Sequence, residues 1–508
     1  MLKGMFVAPD PGRQRLRAAT RAVLGIGAAV ALCGLTGHSL VAAVTGGLAA
    51  LLALFTVTDA TVRGQALTTL LLPAVGFPVL ALAAGLHDHP VARDTALLAV
   101  VGLGVYARRW GPRGHALGVF AFMAFFSTQF LHTVPGQLPE LYAAVALSLL
   151  MSSAVRFGLW CYERRLPAPV VPAPPTGRGL ARTTTRQAVQ ATAGAAVALM
   201  VGQLLSEQRW YWAVGATWWM FVNTASRGET LVRGFRRVLG TLIGLAVGVV
   251  AVVPLQGAPV PTAVLVVVSV FGIFYTAAVS YTWMMLAVTV LAGSLYGLLG
   301  VLDPALLALR LLETGVGALG GMLAVLLVLP VTTHTTTHAW IAQALRRVHA
   351  CTAEAAARLA GSATADPTGH VAELEALLGR VRLSLAPLVH PLSPLRARKA
   401  RARQVLALLD TCADEVRGLA SVAADPEASH DDRLAAACRR VEAAVEALTE
   451  PAYGGSEAAD PGRAPERPVP EHALPTVPAL AHLHRLEGAL AALSAPVRSS
   501  PRAPLVRV

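Results

Sequence analysis

The chain has 508 residues, 55% of them hydrophobic and 14% charged, against about a quarter charged in an ordinary globular domain. That balance excludes a wholly water-soluble protein. Five cysteines (Cys33, Cys161, Cys351, Cys412 and Cys438) lie far apart with no CxxC, a spacing that fits neither a disulfide framework nor a zinc site. A net charge of +13 would suit nucleic acid, but the arginines crowd beside apolar segments, as membrane topology requires.

In chain order, RQRLRAATR precedes a first apolar run, and the leucine just before Cys33 argues against lipoprotein processing. The run therefore reads as an uncleaved first span. Roughly twelve apolar stretches follow in all, each near the ~20 residues that cross a ~30 Å hydrocarbon core. In the first half they lie near 18–36, 40–57, 66–86, 91–107, 115–132 and 139–161. In the second they lie near 186–205, 210–225, 231–253, 260–278, 281–300 and 305–331. Arginines gather before span one, after spans two and four, around the central linker and between spans eight and nine, while the alternate loops are poor in them. This asymmetry predicts a multi-pass protein of the cytoplasmic membrane with both termini cytoplasmic.

The halves are related. Arg17 and Arg21 return as Arg182 and Arg186 at an offset of 165, Arg63-Gly64 as Arg227-Gly228 at 164, and Leu138-Pro139 as Asp303-Pro304 at 165. A constant offset along the chain marks a duplication. Six spans per half make the repeats parallel, related by an axis near the membrane normal. The proline-rich PAPVVPAPPTGRG (167–179) reads as a linker. After Pro330 the composition turns to Ala, Leu, Arg and Glu with helical periodicity near 338–362, 370–385, 395–423, 430–449 and 476–494. The fold class expected is all-α and polytopic, with two parallel six-helix repeats (about twelve spans) and a C-terminal cytoplasmic helical domain. Its parts are a first membrane repeat (1–166), the linker (167–181), a second repeat (182–331), the helical domain (332–452) and a mostly disordered tail with one helix (453–508).

Polar residues within apolar stretches are the functional candidates, because charge inside a membrane is expensive. Arg310 and Glu313 are three apart on span twelve, so they share a helix face and can pair. The pair reads either as a structural clamp or as part of a polar path in which Arg310 attracts an anion and Glu313 carries a proton; both readings stay open. Arg233, Arg236 and Arg237 crowd the cytoplasmic mouth of span nine. Guanidinium forks suit carboxylates, while anchoring to anionic lipid headgroups is the simpler reading of any one of them. Gly240, Gly244 and Gly248 form a small-residue stripe for helix packing. Trp210, Tyr211 and Trp212 read as an interfacial belt, Trp218 as a ring that could stack on a planar ligand, and Asn223 as a pore residue or cap. His334 and His338 have i,i+4 spacing without a third ligand, so no metal is expected. The basic run 394–403 lacks interleaved aromatics, so no nucleic-acid partner is expected. No GxxxxGK[ST], GxSxG or HExxH occurs, so no cofactor and no enzyme activity are expected.

Four features together resemble a known family: Arg-x-x-x-Arg opening a span, Tyr211-Trp212-Ala213, Arg233-Gly-Phe-Arg236-Arg237-Val-Leu-Gly240-Thr-Leu-Ile-Gly244 and Arg310-Leu-Leu-Glu313-Thr-Gly315. They are similar to the fusaric acid resistance (FUSC) family, which includes aromatic acid exporters and has plant malate channels as distant relatives. The resemblance lies in 182–331 and is weak in 17–161. It implies export or conduction of organic, often aromatic, carboxylates, with Arg233, Arg236 and Arg310 serving the anion path. The function expected is therefore an inner-membrane exporter of organic, aromatic carboxylate anions driven by the proton gradient. A gated organic-anion channel and a non-transporting scaffold with a cytoplasmic interaction domain stand as alternatives. Expected partners are small organic anions and membrane lipids, with a second copy of the chain or an accessory efflux subunit left open.

Overall fold

The computed structural model describes residues 13–163, 179–224, 226–255, 257–329, 333–359, 362, 364–389, 396–423, 432–449 and 478–498. The linker at 167–178, the tail segment 454–472 and the side chains of Cys161 and His334 lie outside the described residues. The chain divides into two compact units, one ending at Val331 and the other taking up the remainder from Thr332.

Every described element is helical. The first unit's first half comprises α1 (Gln14–Leu35), α2 (Leu40–Thr56), α3 (Val62–Gly85), α4 (Pro90–Ala107), α5 (Gly111–Leu131) and α6 (Leu138–Glu163). The second half comprises α7 (Thr183–Leu205), α8 (Tyr211–Phe221), α9 (Arg227–Ala251), α10 (Pro259–Thr276), α11 (Tyr281–Leu298) and α12 (Pro304–Leu327). Their starts carry local signals: the Ser39 and Asp303 side chains accept the backbone N–H groups of Ala42 and Ala305, as helix N-caps do. Pro304 then occupies the first turn, where its missing N–H costs nothing. Among the described residues nine helical stretches are long and apolar enough to cross a membrane, and one of them, Pro90–Leu131, holds both α4 and α5.

The same pairings recur in the two halves. Helices α1, α2 and α6 pack on one another, as do α7, α8 and α12; α3 packs on α5 and α9 on α11. Two seams join the halves, α4 against α7 and α10 against α1. Small residues permit the closest approaches, since a Cβ on Gly320 would sit 2.9 Å from the Gly194 carbonyl oxygen of the facing helix. In the expected glycine stripe Gly240 and Gly244 do face α11, while Gly248 faces open space.

The second unit is a helical bundle of α13 (Thr333–Leu359), α14 (Thr368–Val389), α15 (Arg396–Ala423), α16 (Asp432–Thr449) and α17 (Pro478–Arg498). Helix α13 packs on α14, α15 and α16, and α17 closes the bundle against α15 and α16. Leu345, Val381, Leu409, Val441 and Leu490 are fully buried in its core. Cys351 and Cys412 belong to that core, and burial pushes both thiols up to about 12. They are packing residues rather than reactive ones.

Candidate functional site

Helix α8 is the shortest of the twelve described helices of the first unit, and α2, one residue shorter than α4, α10 and α11, occupies the corresponding place in the first half. α2 has 17 residues and α8 has 11, about 26 and 17 Å at 1.5 Å per residue, against a core of about 30 Å. Paired short segments of this kind are where membrane transporters place their binding sites. At the end of each, where a helix's last carbonyls lack intrahelical partners, an arginine from elsewhere in the chain adds donors to backbone carbonyls, Ala53 O and Phe221 O also accepting Val57 N–H and Thr224 Oγ1. Arg156 of α6 is buried and donates to Ala53 O at 2.6 Å and Val57 O at 2.7 Å. Arg108, just past α4, donates to Phe221 O at 2.8 Å and Thr224 O at 3.0 Å, and Gln187 adds a bond to Thr224 O.

Between α2 and α8 lies a cavity of about 140 Å³. Its walls use corresponding positions of the two halves. Leu48, Leu51 and Phe55 on α2 face Trp212, Gly215 and Trp219 on α8, each pair 164 residues apart. Met123, Phe126 and Phe130 on α5 face Val288, Leu291 and Leu295 on α11, each pair 165 apart. Among the described lining residues one carries a charge, Arg237 of α9; the first half has Pro73 at that position. Arg237 is 5% exposed. Its Nη1 donates to Tyr281 Oη at 3.2 Å and reaches Met285 Sδ at 3.5 Å. Its Nε has no hydrogen-bond partner among the described residues. A buried guanidinium held by a phenol and a thioether retains donors for an anion.

The remaining predicted residues are placed as follows. Arg310 and Glu313 are 5% and 1% exposed, but the expected ion pair does not form. Neither Glu313 oxygen has a hydrogen-bond partner, nor do Nε and Nη1 of Arg310. The guanidinium instead lies over the Trp212 ring, 3.8 Å from its centroid. Trp212 donates through Nε1 to Tyr296 Oη at 2.5 Å. Sharing a helix face allowed the pair, but an indole from α8 competed for the cation, an attraction that strengthens when the cation is desolvated. Arg310 thus adjoins the cavity through Trp212 without lining it. Arg233 lies 4.2 Å from the centroid of the Tyr281 ring, beside Arg237, and Arg236 is half-buried.

Trp218 points away from the cavity. It stacks on Phe122 at 4.6 Å between centroids, and its neighbour Trp219 lines the cavity instead. Asn223 is exposed and takes a left-handed conformation, φ 58°, which asparagine tolerates better than most residues; it is a turn residue beyond α8. Trp210 and Tyr211 are buried, so the expected interfacial belt is an interior cluster. Helix α8 is enclosed nearly all round, and periodicity alone could not say which ring faces which neighbour. The signal that finds Trp219 is the duplication, which pairs it with Phe55.

Residues 182–324 match the family described as fusaric acid resistance protein-like. That segment is FUSC-like. It runs from α7 into α12 and contains Arg237, Arg310, Glu313 and the α8 aromatics. No curated protein and no solved structure matches the chain. The FUSC-like segment therefore supplies the one charge and both tryptophans among the described lining residues of the cavity, and the first half supplies three phenylalanines.

Proposed function

We propose that this multi-pass membrane protein exports organic, aromatic carboxylate anions across the cytoplasmic membrane, driven by the proton gradient. One observation carries the proposal: a cavity between the corresponding helices α2 and α8, walled by aromatic side chains and with one buried arginine among its described lining residues. Arg237 would receive the carboxylate on its free donors. Trp212, Trp219 and Phe126 would stack on the ring, and Arg310 would add positive potential through Trp212. Arg233 and Arg236, on the same helix, would gather anions toward the mouth. Glu313, a buried carboxyl with both oxygens unpartnered, is the group proposed to take up and release the coupling proton. Trp218 and Asn223 support α8 rather than touch the ligand.

The matching helix pairs and the constant offsets across the cavity support two parallel repeats about an axis through the cavity and near the membrane normal. The arginine asymmetry of the loops supports cytoplasmic termini and a cytoplasmic second unit. Proteoliposomes with an imposed proton gradient test the proposal. The wild type should export benzoate, and Arg237→Ala should lose about thirtyfold or more of that rate, the cost of removing one partner from a buried charged contact. Glu313→Gln should abolish uphill export while sparing downhill exchange. Benzoate export unchanged in Arg237→Ala would remove the central cavity from the path.

A further inference from the structure

A second cavity, of about 320 Å³, lies between α1, α2, α10 and α11. Its described lining is wholly apolar and built from valine, leucine, isoleucine, alanine and glycine. It shares Leu48, Leu51, Leu291 and Leu295 with the central cavity, so these four side chains border both spaces. Val30 and Val267 on its walls are 41% and 44% exposed, which leaves it open sideways to the bilayer.

The opposite seam is filled. There Trp218 and Phe122 stack between α4, α5, α7 and α8. The corresponding positions at offsets 164 and 165 are Leu54 and Ala287, which pack together with α10 side chains in one cluster. Two large rings are thus replaced by a leucine and an alanine on the α1–α10 side, and the apolar cavity lies further along that seam, lined by neither of them. An apolar cavity that shares four lining leucines with the cavity holding a buried arginine is complementary to a molecule with an anionic head and a hydrocarbon chain.

We propose that the protein binds alkyl-chain carboxylates of the fatty-acid type, the head on Arg237 and the chain passing Leu48 and Leu291 into the apolar cavity. This deepens the carboxylate reading above and rests on Arg237 as the anion site. The chain enters from the bilayer past Val30 and Val267. Leu48, Leu51, Leu291 and Leu295 form a partition whose rotamers open or close the connection. Aromatic acids use the central cavity alone.

Equilibrium binding of radiolabelled benzoate, hexanoate, octanoate and decanoate to the purified full-length protein tests this. In the wild type, affinity should rise roughly fourfold per added methylene, the gain for burying one CH₂. Ala263→Phe on α10 and Val30→Phe on α1 each fill the apolar cavity from opposite walls. Both should weaken decanoate by tenfold or more and leave benzoate within twofold. No gain with chain length, or fillers that spare decanoate while benzoate still binds, would overturn this proposal alone. Chain-length-dependent, filler-sensitive binding of decanoate without benzoate binding would uphold it and sink the aromatic-acid reading. Retention of a diacyl phospholipid that decanoate does not displace would also overturn it, since the cavity would then hold bilayer lipid.

Discussion

The two seams joining the membrane halves are made of corresponding helices, yet one is packed shut and the other is hollow. At α4–α7, Trp218 lies on Phe122 and the Gly102 Cα stands so close to α7 that a Cβ there would meet Thr192 Oγ1 at 2.7 Å. At α1–α10 a leucine and an alanine stand at the two corresponding positions, and a cavity of about 320 Å³ lies further along the seam. Backbone pairing is therefore insensitive to a loss of side-chain volume that changes what the seam can hold. In lipid this is physically reasonable: helix association rests on close packing and hydrogen bonds rather than on escape from water, so hydrocarbon can substitute for a missing ring. The two seams use corresponding helices, and the filled one takes a ring from each half, Phe122 from the first and Trp218 from the second.

Truncation should reveal the difference. Phe122→Ala should destabilise the protein most, by about 3–5 kcal/mol, because it opens a cavity in the filled seam. Reversible unfolding in mixed micelles would measure it; a loss below about 1 kcal/mol would mean the stack is not what closes that seam. The two arginine caps come next and should be alike in both halves. Arg156→Ala and Arg108→Ala each strip charged donors from the last carbonyls of a short helix, at about 1.5–3 kcal/mol. A large gap between them would show that α2 and α8 are not held in the same way. Leu291→Ala should cost least, about 2 kcal/mol at the low end of the range for buried leucines, since Leu291 already borders two cavities. If it matched Phe122→Ala, the hollow seam would be better packed than its volume implies.

Much of the fold was legible. Each of the twelve expected apolar stretches coincides with a helix, and the five amphipathic stretches after Pro330 coincide with α13 to α17. Hydrophobicity and its periodicity are local properties, and a helix satisfies its own backbone. The candidate site was legible in part. In sequence Arg237 is one of three arginines at the mouth of span nine, with lipid anchoring the simpler reading of any one of them, and the family resemblance falls within the segment that matches. The structure turns Trp218 onto Phe122 rather than toward the cavity, and Arg310 onto Trp212 rather than Glu313. Both depended on neighbours more than 80 residues away in sequence, namely Phe122 for Trp218 and Trp212 for Arg310. The roles of Arg108 and Arg156 are equally invisible in sequence, because nothing nearby in the chain shows which carbonyls they will meet.

By itself, then, the sequence determined that this is a bundle of apolar helices with an inherited internal offset, a basic set of alternate loops and a polar helical unit after it. Those features follow from side-chain transfer energies and from spacing along one strand of chain. Tertiary structure alone decided that α2 and α8 would face each other across a cavity, that Arg237 would be its charge, and that one seam would stay open. Such outcomes depend on which surfaces meet and how much volume each brings, and no property of an isolated segment records that.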